Sequence, residues 1–138
     1  MPVRYSFLGN LVRMDLEGTY STEDIIRTFN AALSDPDFPG EPRFLLDVTR
    51  SAVLAERDAE SVRAIAQYFA EHSPRAGTRL AIIATEPVHF GLARMGAAVA
   101  ELGGAEVEVL TTIEDALSWL MVKTSEGPTG GRTKPGPG

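Results

Sequence analysis

The stretch Arg43-Phe44-Leu45-Leu46-Asp47-Val48-Thr49-Arg50 constrains the fold more than any other part of the chain. Phe44, Leu45 and Leu46 are apolar in succession, and Asp47 interrupts the run. A strand covered on both faces reads this way, because it has no wet side to carry alternating polar residues. A carboxylate at that point places the strand's end at the rim of a parallel sheet. In open α/β sheets that rim is where ligands and partners bind.

Arg79 to Ala84 repeats the pattern: Leu80-Ala81-Ile82-Ile83-Ala84 is a second strand buried on both faces. The outer strands read differently. Tyr5–Leu8 and Leu11–Leu16 flank Gly9-Asn10, a two-residue turn that tolerates positive φ, and together predict a hairpin. Val12, Met14 and Leu16 fall on one side of its second strand, with Leu11, Arg13 and Asp15 on the other, so one face is buried. Glu106–Leu110 alternates Val107 and Val109 with charge, as an edge strand does.

Helical spacing fills the intervals. Ser21, with Asp24 three residues on, is a capping-box arrangement ahead of the stripe Ile25, Ile26, Phe29 and Leu33. The loop 35–40 ends that helix. A second helix is predicted over about Arg57 to Glu71, with Val62, Ile65, Ala66 and Phe69 inward and a break at 73–77. Thr85-Glu86-Pro87 opens a third, and Pro87 suits a first turn. Phe90, Arg94, Met95, Ala97, Ala98 and Leu102 carry it to a Gly103-Gly104 stop. Thr112, with Asp115 three on, caps a final helix through Ile113, Ala116, Leu117 and Leu120. Phe29, Phe69, Phe90 and Met95 are expected in the core, and Trp119 in the core or at a dimer contact.

The order is β-β-α-β-α-β-α-β-α. It predicts an α/β fold with four helices on a five-stranded mixed sheet, parallel apart from its first strand. Residues 1–122 are one domain on this reading, large enough for a single core. Residues 123–138, dominated by Gly, Pro, Ser and Thr, are expected to be a flexible tail.

Composition excludes whole classes of function. The net charge is −6, and because the charged residues beyond 122 contribute +2, residues 1–122 carry −8. An acidic body lacks the basic patch that nucleic acid and anionic membrane surfaces require. Without cysteine there are no disulfides, thiolate nucleophiles or cysteine metal sites. Up to residue 122 every basic side chain is arginine, which removes Schiff-base and phosphate-loop lysines. No apolar run approaches the roughly 20 residues that span a bilayer, and residues 1–5 read as a strand start rather than a leader. The expectation is a cytoplasmic protein without stable membrane insertion.

The layout resembles the SpoIIAA-like, or STAS-domain, family of small bacterial regulatory proteins. The residues that carry the resemblance are Leu45-Leu46-Asp47, Arg79-Leu80-Ala81-Ile82-Ile83, Phe90-Gly91-Leu92-Ala93-Arg94-Met95 and Glu114-Asp115-Ala116-Leu117-Ser118-Trp119-Leu120. With the opening hairpin, the resemblance covers residues 3–122. The resemblance implies a non-enzymatic, cofactor-free interaction module. In the anti-sigma-factor antagonists of that family, a serine at the start of the helix after the Asp-ending strand is phosphorylated. The matching stretch, Ser51 to Asp58, lacks the Asp-Ser-Ser-Gly type of motif, and Glu56 or Asp58 stands about where that serine would be. A fixed carboxylate there would imitate a permanently charged state.

The candidate site residues cluster at the rim. Asp47 is either a pocket acid or an acceptor for backbone amides in the following loop. Thr49 and Arg50 follow it, and Arg50 either holds an anion or is solvated or paired with Asp47. Thr85, Glu86 and His89 surround the start of the third helix, where anions are favoured; His89 is either part of a ligand corner there or plain surface. Arg94 is either a ligand clamp or a buried partner of Asp47 or Glu86. With only two histidines, far apart, no transition-metal set is formed.

Two functional readings follow: a regulatory module that engages a protein partner or a copy of itself through this rim, and a binder of a small apolar or anionic ligand such as a lipid or nucleotide. A weak homodimer would use the edge strand Glu106–Leu110 or the last helix. A receiver-like phospho-acceptor at Asp47 needs a lysine after the last strand, where Leu110-Thr111-Thr112 stands instead. A hydrolase lacks a nucleophile elbow and an acid–base pair.

Overall fold

The computed structural model describes residues 2–52, 59–72 and 78–121. The predicted break at 73–77, the start of the second helix, Glu56, Asp58 and the tail lie outside the described residues. The elements run β1 (Val3–Leu8), β2 (Leu11–Gly18), α1 (Thr22–Ser34), β3 (Arg43–Ser51), α2 (Ala59–His72), β4 (Arg79–Ile83), α3 (Pro87–Leu102), β5 (Glu106–Leu110) and α4 (Ile113–Met121). The sheet order is β1-β2-β3-β4-β5. β1 and β2 are antiparallel, in register Leu8↔Leu11, and every later pairing is parallel. The predicted α/β order with one antiparallel edge is therefore what the chain forms.

The hairpin turns at Gly9, whose φ of 61° is a conformation that a β-carbon would disfavour. α1 starts at a complete capping box: Asp24 N donates to Ser21 Oγ at 3.1 Å, and Ser21 N donates to Asp24 Oδ2 at 3.0 Å. α4 is capped by Thr112, whose Oγ1 accepts from Asp115 N at 3.1 Å.

Strand alternation divides the core between the two faces of the sheet. Val12, Met14, Leu16, Phe44, Leu80, Ile82, Val107 and Val109 face α1, α2 and α3 in one cluster. Leu45, Ala81 and Ile83 point the other way and pack under Ala116 and Leu120 of α4. Phe29, Phe44 and Phe69 form the centre of the larger cluster, with ring centroids 5.1–5.8 Å apart.

α3 packs in a different phase from the one its sequence predicts. His89, Ala93, Ala97 and Ala100 face inward, while Phe90 and Met95 are half-buried and Ala98 is exposed. Leu102 is 90% exposed. The cause is the close approach of α2. A β-carbon on Gly103 would lie 2.5 Å from the Ala70 β-carbon, and one on Gly96 would lie 3.2 Å from Val62 Cγ1. Small residues permit that approach, so they, and not the larger side chains, set the buried face.

α4 has no cation of its own in its last turn. The sheet supplies two. Arg43 Nη1 donates to the Leu120 carbonyl, and Arg79 Nη1 donates to the Trp119 carbonyl at 2.7 Å. These are the orphan carbonyls at the negative end of the helix dipole. The Arg79 guanidinium also lies 4.9 Å from the centroid of the Trp119 ring.

Candidate functional site

Asp47 is not the end of its strand. β3 continues to Ser51 alongside β2, past a register shift between Asp15 and Glu17. Only the β4 side stops there, at Asp47↔Ile83. The apolar run ended because β4 ended, which a single strand's sequence cannot distinguish from its own end.

The parallel register sets Asp47 beside Asp15. Two carboxylates in lateral contact repel, and Arg13 resolves this by serving both. Its Nε donates to Asp15 at 3.1 and 3.2 Å, and its Nη2 to Asp47 Oδ2 at 3.2 Å. The other Asp47 oxygen accepts from Thr49 N at 2.9 Å and Thr49 Oγ1 at 2.6 Å. Asp47 thus orders the segment after it and has both oxygens committed.

Arg50 is paired with Glu17 at 3.0 Å, not with Asp47, and Glu17 also takes Arg4 at 3.2 Å. These two cations, the Arg50 hydrogen bond first, hold the Glu17 carboxyl below its ordinary range. Each described arginine at this edge, Arg4, Arg13 and Arg50, has a carboxylate partner. An anionic ligand would have to displace one of them.

Thr85 and Glu86 are exposed where α3 begins, and Glu86 occupies the N-cap without a side-chain cap bond. His89 is neither surface nor an open ligand corner: it is 4% exposed, on the inward stripe of α3, and its Nδ1 has no hydrogen-bond partner. Arg94 is exposed, one residue round the helix from buried Ala93, and is no partner of Asp47. Of the nine rim candidates, the structure brings Asp47 and Thr49 into direct contact. It adds Arg13 and Asp15, whose shared face was visible in the alternation of β2 but whose neighbour was not. Among the described residues no group of His, Asp and Glu could hold a metal ion, and no helix is long and apolar enough to cross a membrane.

An apolar concavity lies elsewhere. Between the sheet and α1, α2 and α3 is a cavity of about 130 Å³. Its floor includes Met14, Leu16, Phe44 and Ile82. α1 contributes Ile25 and Phe29, and α2 contributes Ile65 and Phe69. α3 closes it with Ala93, Gly96, Ala97 and Ala100. Those side chains are small, and larger ones in their place would fill part of the space. Ile26, Ile65, Tyr68 and Leu92 line it and are half-buried, so the cavity reaches the surface between helices. Among the described lining residues, Tyr68 alone carries a side-chain hydrogen-bonding group of first rank. Its hydroxyl donates to Oδ1 of exposed Asn30 on α1.

Comparison with family models, curated proteins and solved structures returns no match for this chain.

Proposed function

We propose that this protein is a non-catalytic binding domain for a small apolar molecule, held between the sheet and its three covering helices. The cavity is the observation that supports this. The space of about 130 Å³ is walled almost wholly by hydrocarbon and opens between the helices, so an apolar occupant would remove that wall from water, and burying apolar surface is favourable. The walls select against charge, because a polar group placed among hydrocarbon without a partner is penalised. That disfavours the nucleotide version of the ligand reading. The acidic, arginine-paired rim disfavours an anion there too.

The resemblance to SpoIIAA-like domains supports a regulatory role for such binding, without a serine phospho-switch. The contact between this rim and a protein partner rests on that resemblance alone.

The test is thermal unfolding of the full chain with toluene, alongside Ala97→Leu, which fills the cavity from α3. At ten times its dissociation constant, toluene stabilises the wild type by about 1.4 kcal/mol, several degrees in melting temperature. Ala97→Leu abolishes that shift. A shift of the same size in Ala97→Leu, or none in the wild type, rejects the cavity as the site.

A further inference from the structure

We propose that the free edge of β1 pairs with the same edge of a second copy of this chain, antiparallel and centred on Tyr5, so that two sheets become one across a two-fold axis. This does not depend on the cavity. β1 is the first strand in the sheet order, and among the described residues no other strand pairs with its outer side. Edge strands are usually guarded by shortness, a bulge, an internal proline or an unpaired charge. β1 has none of these. Its six residues hold an unbroken register with β2, and its one charge, on Arg4, is neutralised by Glu17 at 3.2 Å.

The backbone phase decides which groups face outward. Glu17 N donates to the Pro2 carbonyl at 2.7 Å, so Pro2 and, by alternation, Arg4, Ser6 and Leu8 turn their peptide groups toward β2. Val3, Tyr5 and Phe7 turn theirs to the free edge. A two-fold axis normal to the sheet keeps the two helix-covered faces on one side, so outward residues must pair with outward residues. Of the registers that do so, Tyr5 opposite Tyr5 also sets Val3 opposite Phe7. All three outward residues of each copy are then engaged, with about six backbone hydrogen bonds. Ser6 opposite Ser6 leaves Val3 unpaired, and Arg4 opposite Arg4 leaves Phe7 unpaired and sets like charges together. In the Tyr5-centred register the close pairs are Arg4 with the second copy's Ser6 and Pro2 with the second copy's Leu8. Leu8, 78% exposed, thereby gains an apolar neighbour. On the helix-covered face Tyr5 and Phe7, half-buried with ring centroids 5.4 Å apart, meet the second copy's Tyr5 and Val3. The other edge of the sheet is unsuited to this. Glu106 and Glu108 share one face of β5, so each self-pairing centred on residues 106–108 sets acid against acid.

The test is sedimentation equilibrium of the full chain as wild type, Ser6→Glu, Ser6→Arg and Tyr5→Pro, with urea unfolding of each to confirm the fold. One strand pair is a small interface, so association is followed up to millimolar concentration. The wild type is expected to form a reversible dimer. Ser6 is exposed, and in this register its replacement faces the second copy's Arg4 twice per dimer. Ser6→Glu is therefore expected to lower the dissociation constant by about 2- to 30-fold, and Ser6→Arg to raise it by a similar factor. Tyr5→Pro removes the central outward N–H and leaves the bonds to β2 in place, so it is expected to abolish the dimer. A wild type that stays monomeric overturns the proposal, as does a dimer indifferent to all three substitutions. Weakening by both Ser6 variants overturns the Tyr5-centred register, because like charges then meet as they do when Ser6 faces Ser6. Should Tyr5→Pro not fold, the opposite signs of the two Ser6 variants decide.

Discussion

Asp47 shows how a single residue can be conspicuous in a sequence for one reason and matter in the structure for another. Its carboxylate accepts three hydrogen bonds, two from Thr49 and one from Arg13. Asp47→Ala leaves the Thr49 amide and the Arg13 guanidinium without that acceptor. The expected loss is about 1–3 kcal/mol in urea unfolding, with Asp47→Asn losing less because one acceptor oxygen survives. Equal stability of Asp47→Ala and wild type would show that the network does not hold this segment. The bond to Thr49 was legible beforehand, because a short acid two residues before an amide commonly closes such a turn. The bond to Arg13 was not, because it crosses 34 residues and depends on register. The inward place of His89 and the exposed place of Arg94 escape the sequence for a related reason: neighbouring helical residues point about 100° apart, and which side packs is decided by the elements against it.

At the level of elements, helix starts and the hairpin were the most readable features, since each is decided within four or five residues. Ser21–Asp24, Thr112–Asp115 and Gly9 act as local chemistry predicts. The seam between α2 and α3 is not local. Gly103 sits at the end of α3 with φ −88°, where alanine is conformationally acceptable. By backbone entropy alone, Gly103→Ala would stabilise by about 0.4–1 kcal/mol. The added carbon would instead meet the Ala70 β-carbon at 2.5 Å, and overpacking costs about 1–3 kcal/mol. The second effect is the larger, so the expected outcome is a lower urea midpoint. A raised midpoint would mean that the two helices separate freely. α4 makes the same point in another way: its C-terminal cations come from Arg43 and Arg79, residues 77 and 40 positions away from the carbonyls they reach.

The whole molecule adds a dependence on pH that no one element carries. Besides Glu17, two carboxylates sit below their ordinary range. Asp24 is lowered first by the Ser21 backbone N–H and then by Arg27; Asp35 is lowered by the Asp37 backbone N–H and the Tyr5 hydroxyl. A depressed carboxylate contributes stability that is fully present above its unfolded pKa and is lost as pH falls through its folded value. The urea midpoint should therefore hold near pH 7 and fall below about pH 4, where model carboxylates titrate. A midpoint unchanged from pH 7 to pH 3 would contradict this. Apolar runs, alternation and caps, all short-range, determined by themselves the order of elements, the one antiparallel strand and the edge position of β5. Only the tertiary structure decided that Arg13 lies between Asp15 and Asp47, that the inward side of α3 is its small one, and that a cavity remains above Phe44. Each of these depends on how closely two distant segments approach, and that distance is fixed by the packing of all the layers at once rather than by any window of the chain.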